Sequence, residues 1–166
     1  FSPLMPQFDT KFFDHQNIWY RFDSGPLKRS LERFAKFPIA TTFDEKASLT
    51  QPRLILVSVD VAEGFPVVFD SYEKEDGSRK SEYGKYIVQN RKDVGFTHII
   101  RYSDGITADQ VIASASVPLN FGYSRLEVES YNTATSNYEK NIRYFWDGGI
   151  MSNTPLTQVV LLHRQY

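Results

Sequence analysis

The sequence predicts an α/β fold: a mixed, mostly parallel central sheet with helices packed on it. Short apolar runs of strand length alternate along the chain with segments of helical periodicity, an order typical of sheets that are covered by helices. Residues 53–61 are mostly apolar, as expected of a strand that is buried on both faces. The length of 166 residues suits a single domain.

The N-terminal half begins with an aromatic-rich leader, residues 1–23, which prolines interrupt and which we expect to be irregular. A helix is predicted next, with Ser24 as its N-cap and Pro26 in its first turn. Pro38 is expected to end it. After the buried strand, further strands are predicted at residues 65–69, 83–88 and 96–101.

The connections differ in composition from these elements. Residues 73–80 mix charges of both signs around Gly77, which predicts a solvated hairpin tip; a binding loop is the alternative. Residues 107–116 are predicted to form a helix capped by Thr107, and the polar residues 128–141 an exposed loop. The last strand and the last helix are predicted at residues 142–146 and 155–164.

Composition narrows the classes of function. Hydrophobic residues make up 41% of the chain, which supports a globular core and argues against disorder. The net charge of −1 gives no electrostatic reason to expect a nucleic-acid partner. The sequence has no cysteine, so disulfides and thiol nucleophiles are excluded. Its histidines, His15, His98 and His163, have no clustered ligand partners, so no metal site is predicted.

The most informative stretch is a short strand that ends on Asp147 and is followed by Gly148 and Gly149. An aspartate at a strand end, with glycines behind it, can be presented to a substrate that approaches the backbone closely. The competing interpretation is a structural turn, because Asp-Gly and Gly-Gly are common turn dipeptides.

A second segment lies upstream, where residues 113–121 read Ala-Ser-Ala-Ser-Val-Pro-Leu-Asn-Phe. Together with the Asp-Gly-Gly motif at residues 147–149 and the following Asn153 and Pro155, it resembles the C-terminal half of the patatin-like acyl hydrolases. That family has an Ala-Ser/Thr-x-Ala-x-Pro-x-x-Phe segment, followed in the same order by Asp-Gly-Gly/Ala and Asn-x-Pro. The resemblance covers residues 50–166 and implies a patatin-like fold.

One part of the family pattern is missing. The nucleophile of these hydrolases is a serine in a Gly-x-Ser-x-Gly elbow, and a separate glycine-rich loop forms the oxyanion hole. No Gly-x-Ser-x-Gly occurs in this sequence. The resemblance therefore implies that residues 1–166 are a single partial domain, the distal portion of a patatin-like catalytic domain whose serine lies upstream. This portion alone is predicted to be inactive.

The resemblance assigns Asp147 as the general base of a Ser–Asp dyad, since a serine hydroxyl needs a base to take its proton. Gly148 and Gly149 would let the backbone turn sharply beside the substrate. Asn153 is expected to support the loop through its side chain, with a substrate contact as the alternative. This chemistry requires no cofactor.

The upstream segment is expected to pack close to the site. Pro118 ends its small-residue helix. Ser114 and Ser116 lie in that helix, where small side chains permit a close approach, so we do not predict either of them as the nucleophile.

The resemblance implies a lipid or acyl ester as substrate, cleaved from a phospholipid or neutral lipid, with contact to a peripheral membrane surface. A domain that lacks a strand would expose apolar surface, which could bind the missing N-terminal piece or a second copy of the chain. The alternative functions are a non-catalytic α/β binding or interaction module that keeps the fold without chemistry, and an unrelated ligand-binding domain. In both, Asp147-Gly148-Gly149 is a structural turn.

Overall fold

The computed structural model describes residues 22–41, 52–74, 76–89, 92–132 and 137–151. Its helices and strands are α1 (Gly25–Phe34), β1 (Ile55–Asp60), β2 (Pro66–Asp70), β3 (Lys80–Gln89), β4 (Lys92–Arg101), α2 (Ala108–Ala115), β5 (Ser124–Asn132) and β6 (Asn137–Asp147). A single 3-10 turn, Gly148–Ile150, follows β6 directly. The leader up to residue 21 and the predicted helix at residues 155–164 lie outside the described residues.

The strands form one six-stranded sheet in the order β2-β1-β6-β5-β4-β3. Every adjacent pair in it is antiparallel, so the predicted mostly parallel sheet with helices packed along it is wrong. The predicted strands at residues 53–61 and 142–146 are confirmed, since β1 lies within the first range and β6 contains the second, and the two strands are direct neighbours.

The short connections explain why the sheet is antiparallel. Residues 61–65 join β1 to β2, residues 90–91 join β3 to β4, and residues 133–136 join β5 to β6. A parallel pair needs a crossover of about a dozen residues, whereas two antiparallel strands can be joined by a tight turn. Gly64 has a φ of +69° in the first of these connections, a conformation that glycine adopts without strain.

The predicted exposed loop at residues 128–141 is also wrong, because most of it belongs to the β5–β6 hairpin. Leu126 and Val128 are buried, while Arg125 and Glu127, which alternate with them, are exposed. An antiparallel sheet can leave one face in water, and its strands then alternate polar and apolar residues. The polar outer face of this hairpin therefore gave a loop-like composition to a pair of strands.

The sheet curls until its two edge strands face each other. The Ser81 hydroxyl of β3 donates to the carbonyl of Val68 in β2. The backbone N–H of Asp70 donates to the Tyr102 hydroxyl at 3.1 Å. The core lies inside this curl and consists of Val67, Phe69, Tyr83, Ile100, Tyr102, Ile106, Ala113, Leu126, Val128 and Phe145.

Residues 73–80 connect the two edge strands. Because β2 and β3 do not pair with each other, the predicted hairpin at this position is wrong. Gly77 lies in this connection and is exposed, and Lys80 forms an ion pair with Asp76 at 3.2 Å.

Helix α2 forms where it was predicted and begins with a capping box. Thr107 accepts a hydrogen bond from the backbone N–H of Asp109 at 3.3 Å, and the Gln110 side chain accepts from the N–H of Thr107 at 2.8 Å. These bonds satisfy amides that the first turn of a helix leaves without partners. The fully buried Ala113 anchors α2 against the core of the sheet.

Candidate active site

Asp147 is the last residue of β6 and lies opposite Ser58 of β1. Its side chain is partly buried. Its Oδ1 accepts a hydrogen bond of 2.8 Å from the backbone N–H of Gly149, the usual way in which an aspartate caps a helical turn. Within the described part of the chain no donor reaches Oδ2. Among these residues, the carboxylate is thus held through one oxygen only.

The two motifs that predicted a site meet at the end of β6, which we call the Asp147 corner. The backbone N–H of Asp147 donates to the carbonyl of Ser116 at 2.9 Å, and Ser116 is the residue at which α2 ends. The Ser116 hydroxyl donates to the carbonyl of Ile112 at 2.7 Å and lies 3.0 Å from the hydroxyl of Ser124. The segment at residues 113–121 therefore holds the strand end that carries Asp147.

Gly148 is required by the space available to it. A Cβ atom at this position would lie 2.6 Å from the carbonyl oxygen of Val57 in β1, which is closer than a side chain can approach. At Gly149 the nearest atom would be Oδ1 of Asp147, at 3.2 Å. Gly148 lets the backbone pass close to the Val57 carbonyl of β1, and Gly149 leaves room beside the Asp147 carboxylate.

The remaining predicted residues have different positions. Pro118 lies in the turn after α2 and is partly buried, and Asn153 lies outside the described residues. The Ser114 hydroxyl donates to the carbonyl of Val111 at 2.9 Å. Ser116 is 1% exposed and already bonded as described above. Neither hydroxyl is presented as a nucleophile would be.

Apolar side chains are exposed in the segments that join at the Asp147 corner. On the α2 side they are Val117 and Leu119, and on the side of the 3-10 turn they are Ile150 and Met151. Leu119 has a φ of +65°, a conformation that costs free energy for a residue with a side chain. Exposed apolar side chains in the two segments that join at Asp147 suit the binding of an apolar chain.

A second aspartate, Asp60 of β1, lies two positions further along the same pair of strands, opposite Phe145. It is fully buried. Arg143 donates from Nε and Nη2 to its two oxygens at 2.5 and 3.1 Å, and the Tyr83 hydroxyl donates at 2.8 Å. Burial alone would raise the pKa of Asp60, but these hydrogen bonds outweigh it and hold the pKa below its ordinary value near 3.8.

The histidine of β4 extends this network. Nδ1 of His98 lies 2.8 Å from the hydroxyl of Ser130, and Nε2 lies 2.8 Å from Oε1 of Glu63. The same Glu63 oxygen also lies 2.9 Å from Nη2 of Arg143. His98 is 2% exposed, and the Arg143 guanidinium contacts both Asp60 and Glu63. The network therefore connects five strands, β1, β3, β4, β5 and β6, and the turn after β1 inside the curl.

Sequence reasoning missed both Ser58 and Asp60. The signal was present, because both are polar residues at alternating positions of a run that is otherwise mostly apolar. Side chains two apart in a strand share one face, and a polar residue buried there needs a partner. The partner of Asp60, Arg143, is 83 positions away in the sequence, so only the fold brings the two together.

The described part of the chain contains no helix with the length and hydrophobicity of a membrane span. Among the same residues, no group of three or more histidine, aspartate or glutamate side chains could hold a metal ion.

Comparison with known proteins identifies the family. The sequence model of the patatin-like phospholipases matches residues 6–160, a span that contains both motifs at the Asp147 corner. No curated protein and no solved structure matches the chain significantly. Because the family match extends over most of the sequence, the chain belongs to the patatin-like phospholipase family, whose members are hydrolases that act on lipid esters.

Proposed function

We propose that this chain carries the base of a Ser–Asp lipid acyl hydrolase, with Asp147 as the base. The nucleophilic serine would come from a segment of the parent protein outside this sequence, since no Gly-x-Ser-x-Gly occurs within it. The observation that carries the proposal is the hydrogen bond from the N–H of Asp147 to the carbonyl of Ser116. It joins two family motifs at one strand end.

In the proposed reaction, the serine oxygen attacks the ester carbonyl while Asp147 takes the hydroxyl proton. The negative charge on the carbonyl oxygen is stabilised by backbone N–H groups of the upstream glycine-rich loop. When the C–O bond breaks, Asp147 returns the proton to the leaving alcohol and an acyl-enzyme remains. Water then attacks the acyl-enzyme with Asp147 again as the base, which releases the fatty acid and restores the serine.

The geometry of Asp147 supports this role. One carboxylate oxygen is bonded to Gly149, which fixes the orientation, while the other accepts no hydrogen bond from the described residues. A base must lie within hydrogen-bond reach of the proton that it removes, and its orientation matters as much as its pKa. The exposed apolar side chains beside it are suited to an acyl chain, so we propose a phospholipid or neutral lipid ester as the substrate.

The test is the Asp147→Asn variant of the full-length parent protein. The change preserves size and the bond to Gly149 but removes the base, so ester hydrolysis should fall at least ~100-fold. Asp104→Asn is the matched control, because Asp104 lies in an exposed turn that precedes α2 in the sequence. The activity of this variant should equal that of the wild type. Hydrolysis of a short-chain ester and of phospholipid micelles would be measured.

Two results would contradict the proposal. One is full activity in Asp147→Asn, and the other is a covalent acyl adduct on Ser114 or Ser116. The isolated 166-residue chain should hydrolyse neither substrate, because it would have no nucleophile.

A second candidate function is a non-catalytic interaction module. The observation in its favour is that the Asp147 carboxylate caps the turn at Gly149, which by itself accounts for an aspartate at this position. In that case the parent protein would be inactive towards esters, and Asp147→Ala would lower the melting temperature without any change in hydrolysis.

A further inference from the structure

Ser58 is a buried polar residue that the reaction described so far does not use. It is fully buried in β1. Its hydroxyl is the buried side-chain oxygen for which the described residues offer no hydrogen-bond partner. A buried hydroxyl without a partner costs free energy, and most buried polar groups in folded proteins are paired. A function at this position would explain why serine is retained here and not alanine.

The register of the sheet places Ser58 next to the proposed base. Ser58 lies directly opposite Asp147. The N–H of Val61 donates to the carbonyl of Tyr144 at 2.9 Å, so Val61 and Tyr144 form a hydrogen-bonded pair. Hydrogen-bonded and non-hydrogen-bonded pairs alternate along antiparallel strands. Three steps along, Ser58 and Asp147 are therefore a non-hydrogen-bonded pair, the type in which the opposed side chains lie closer together.

The hydrogen bonds around Asp147 fit this arrangement. Its backbone N–H points away from β1 and donates to Ser116, as expected at a non-hydrogen-bonded pair. Its Oδ1 is taken by the N–H of Gly149, which leaves Oδ2 as the acceptor on the face that Ser58 shares. A serine hydroxyl can rotate to a new acceptor without moving the backbone.

We infer that Ser58 is a positioning residue for Asp147, and that its hydroxyl donates to Oδ2 when that oxygen turns towards the nucleophile. This inference rests on the proposed function of Asp147. The carboxylate would then be held at both oxygens, by Gly149 on one and by Ser58 on the other. Oδ2 has two lone pairs, so it can accept from Ser58 and from the nucleophilic serine at the same time.

The test is Ser58→Ala in the full-length protein. A donor to a carboxylate stabilises its charged form and lowers its pKa. Loss of the donor should move the acidic limb of the pH profile of kcat, which reports the enzyme–substrate complex, to higher pH by about one pH unit, and lower kcat about tenfold. Thermal stability should stay the same or rise, because the substitution removes a hydroxyl that has no partner in the folded state.

Ser81→Ala is the matched control. Ser81 is also a buried strand serine, but its hydroxyl already donates to Val68 and lies 3.2 Å from that of Tyr102. Its removal should lower the melting temperature and leave the pH profile in place. Ser58→Thr keeps the hydroxyl, so the acidic limb of this variant should lie at the wild-type pH and not at the higher pH expected for Ser58→Ala.

A readout that needs no catalysis completes the test. The titration of the Asp147 carboxyl carbon, followed by NMR in the complex with a non-hydrolysable ester analogue, should shift to higher pH in Ser58→Ala and stay in place in Ser81→Ala. An unchanged titration and an unchanged acidic limb in Ser58→Ala would overturn the inference, even if Asp147→Asn has already confirmed the base. If Asp147→Asn is fully active, the proposed function fails, and the inference about Ser58 fails with it.

Discussion

Asp60 and Asp147 are two aspartates on one pair of adjacent strands, and their surroundings are opposite. Asp60 is fully buried, and both of its oxygens accept from Arg143 while Tyr83 adds a third donor. Asp147 is partly buried, and the single hydrogen bond that its carboxylate accepts from the described residues comes from the N–H of Gly149. A carboxylate whose oxygens are all engaged holds structure. One with a free oxygen at a strand end can exchange a proton.

The largest effect should come from Asp60→Asn. The substitution leaves the Arg143 guanidinium inside the curl with Glu63 as its remaining anionic partner. Removal of one partner of a buried ion pair costs about 3–5 kcal/mol, and we expect the lower end of this range because Glu63 remains. Urea unfolding would measure it. Asp147→Asn is the control and should change stability by less than about 1 kcal/mol, since Asn caps a helical turn as well as Asp. Equal losses of unfolding free energy in Asp60→Asn and Asp147→Asn would contradict the difference drawn between the two aspartates.

An intermediate effect is expected at the glycines behind Asp147. Gly148→Ala would force a methyl group against the Val57 carbonyl and should destabilise by about 1–3 kcal/mol. That loss lowers the melting temperature by roughly 2–4 °C per kcal/mol in a chain of this size. Gly149→Ala is the matched variant, because its nearest neighbour is a side-chain oxygen that can move. A larger loss of stability in Gly149→Ala than in Gly148→Ala would show that the close approach to Val57 is not the reason for glycine at this position.

The smallest effect is the pH dependence of the Asp60 contribution. Because the pKa of Asp60 is lower in the folded state, its contribution is complete above the unfolded pKa and is lost as the pH falls through the folded value. The difference in unfolding free energy between wild type and Asp60→Asn should therefore narrow below about pH 4. Urea unfolding at a series of pH values would show it. A difference that stays constant down to about pH 2 would contradict the assignment.

The sequence predicted the strand positions better than their directions. Residues 53–61 and 142–146 were predicted as strands, and both belong to the sheet as direct neighbours. Direction depends on the connections, and the β5–β6 hairpin was hidden because Arg125 and Glu127 make one face polar. A pattern with one wet face resembles a loop when the composition is averaged over both faces.

The site could be predicted only in part, because sequence motifs record residues and not their contacts. The motifs at residues 113–121 and 147–149 were identified, and their contact through Ser116 and Asp147 agrees with a shared role. Neither Ser58 nor the Asp60–Arg143 pair belongs to these motifs. Their importance follows from register and from a contact between distant strands, which a single sequence does not show.

The curl of the sheet has a consequence for assembly between chains. Edge strands normally offer unpaired N–H and carbonyl groups to other molecules, and this is how many sheet proteins aggregate. Here β2 and β3 face each other, and the Ser81 hydroxyl and the Val68 carbonyl bond across the seam. Each edge thus shields the other. Growth of the sheet by addition of strands from further copies is disfavoured, and association of copies would have to use their side-chain surfaces.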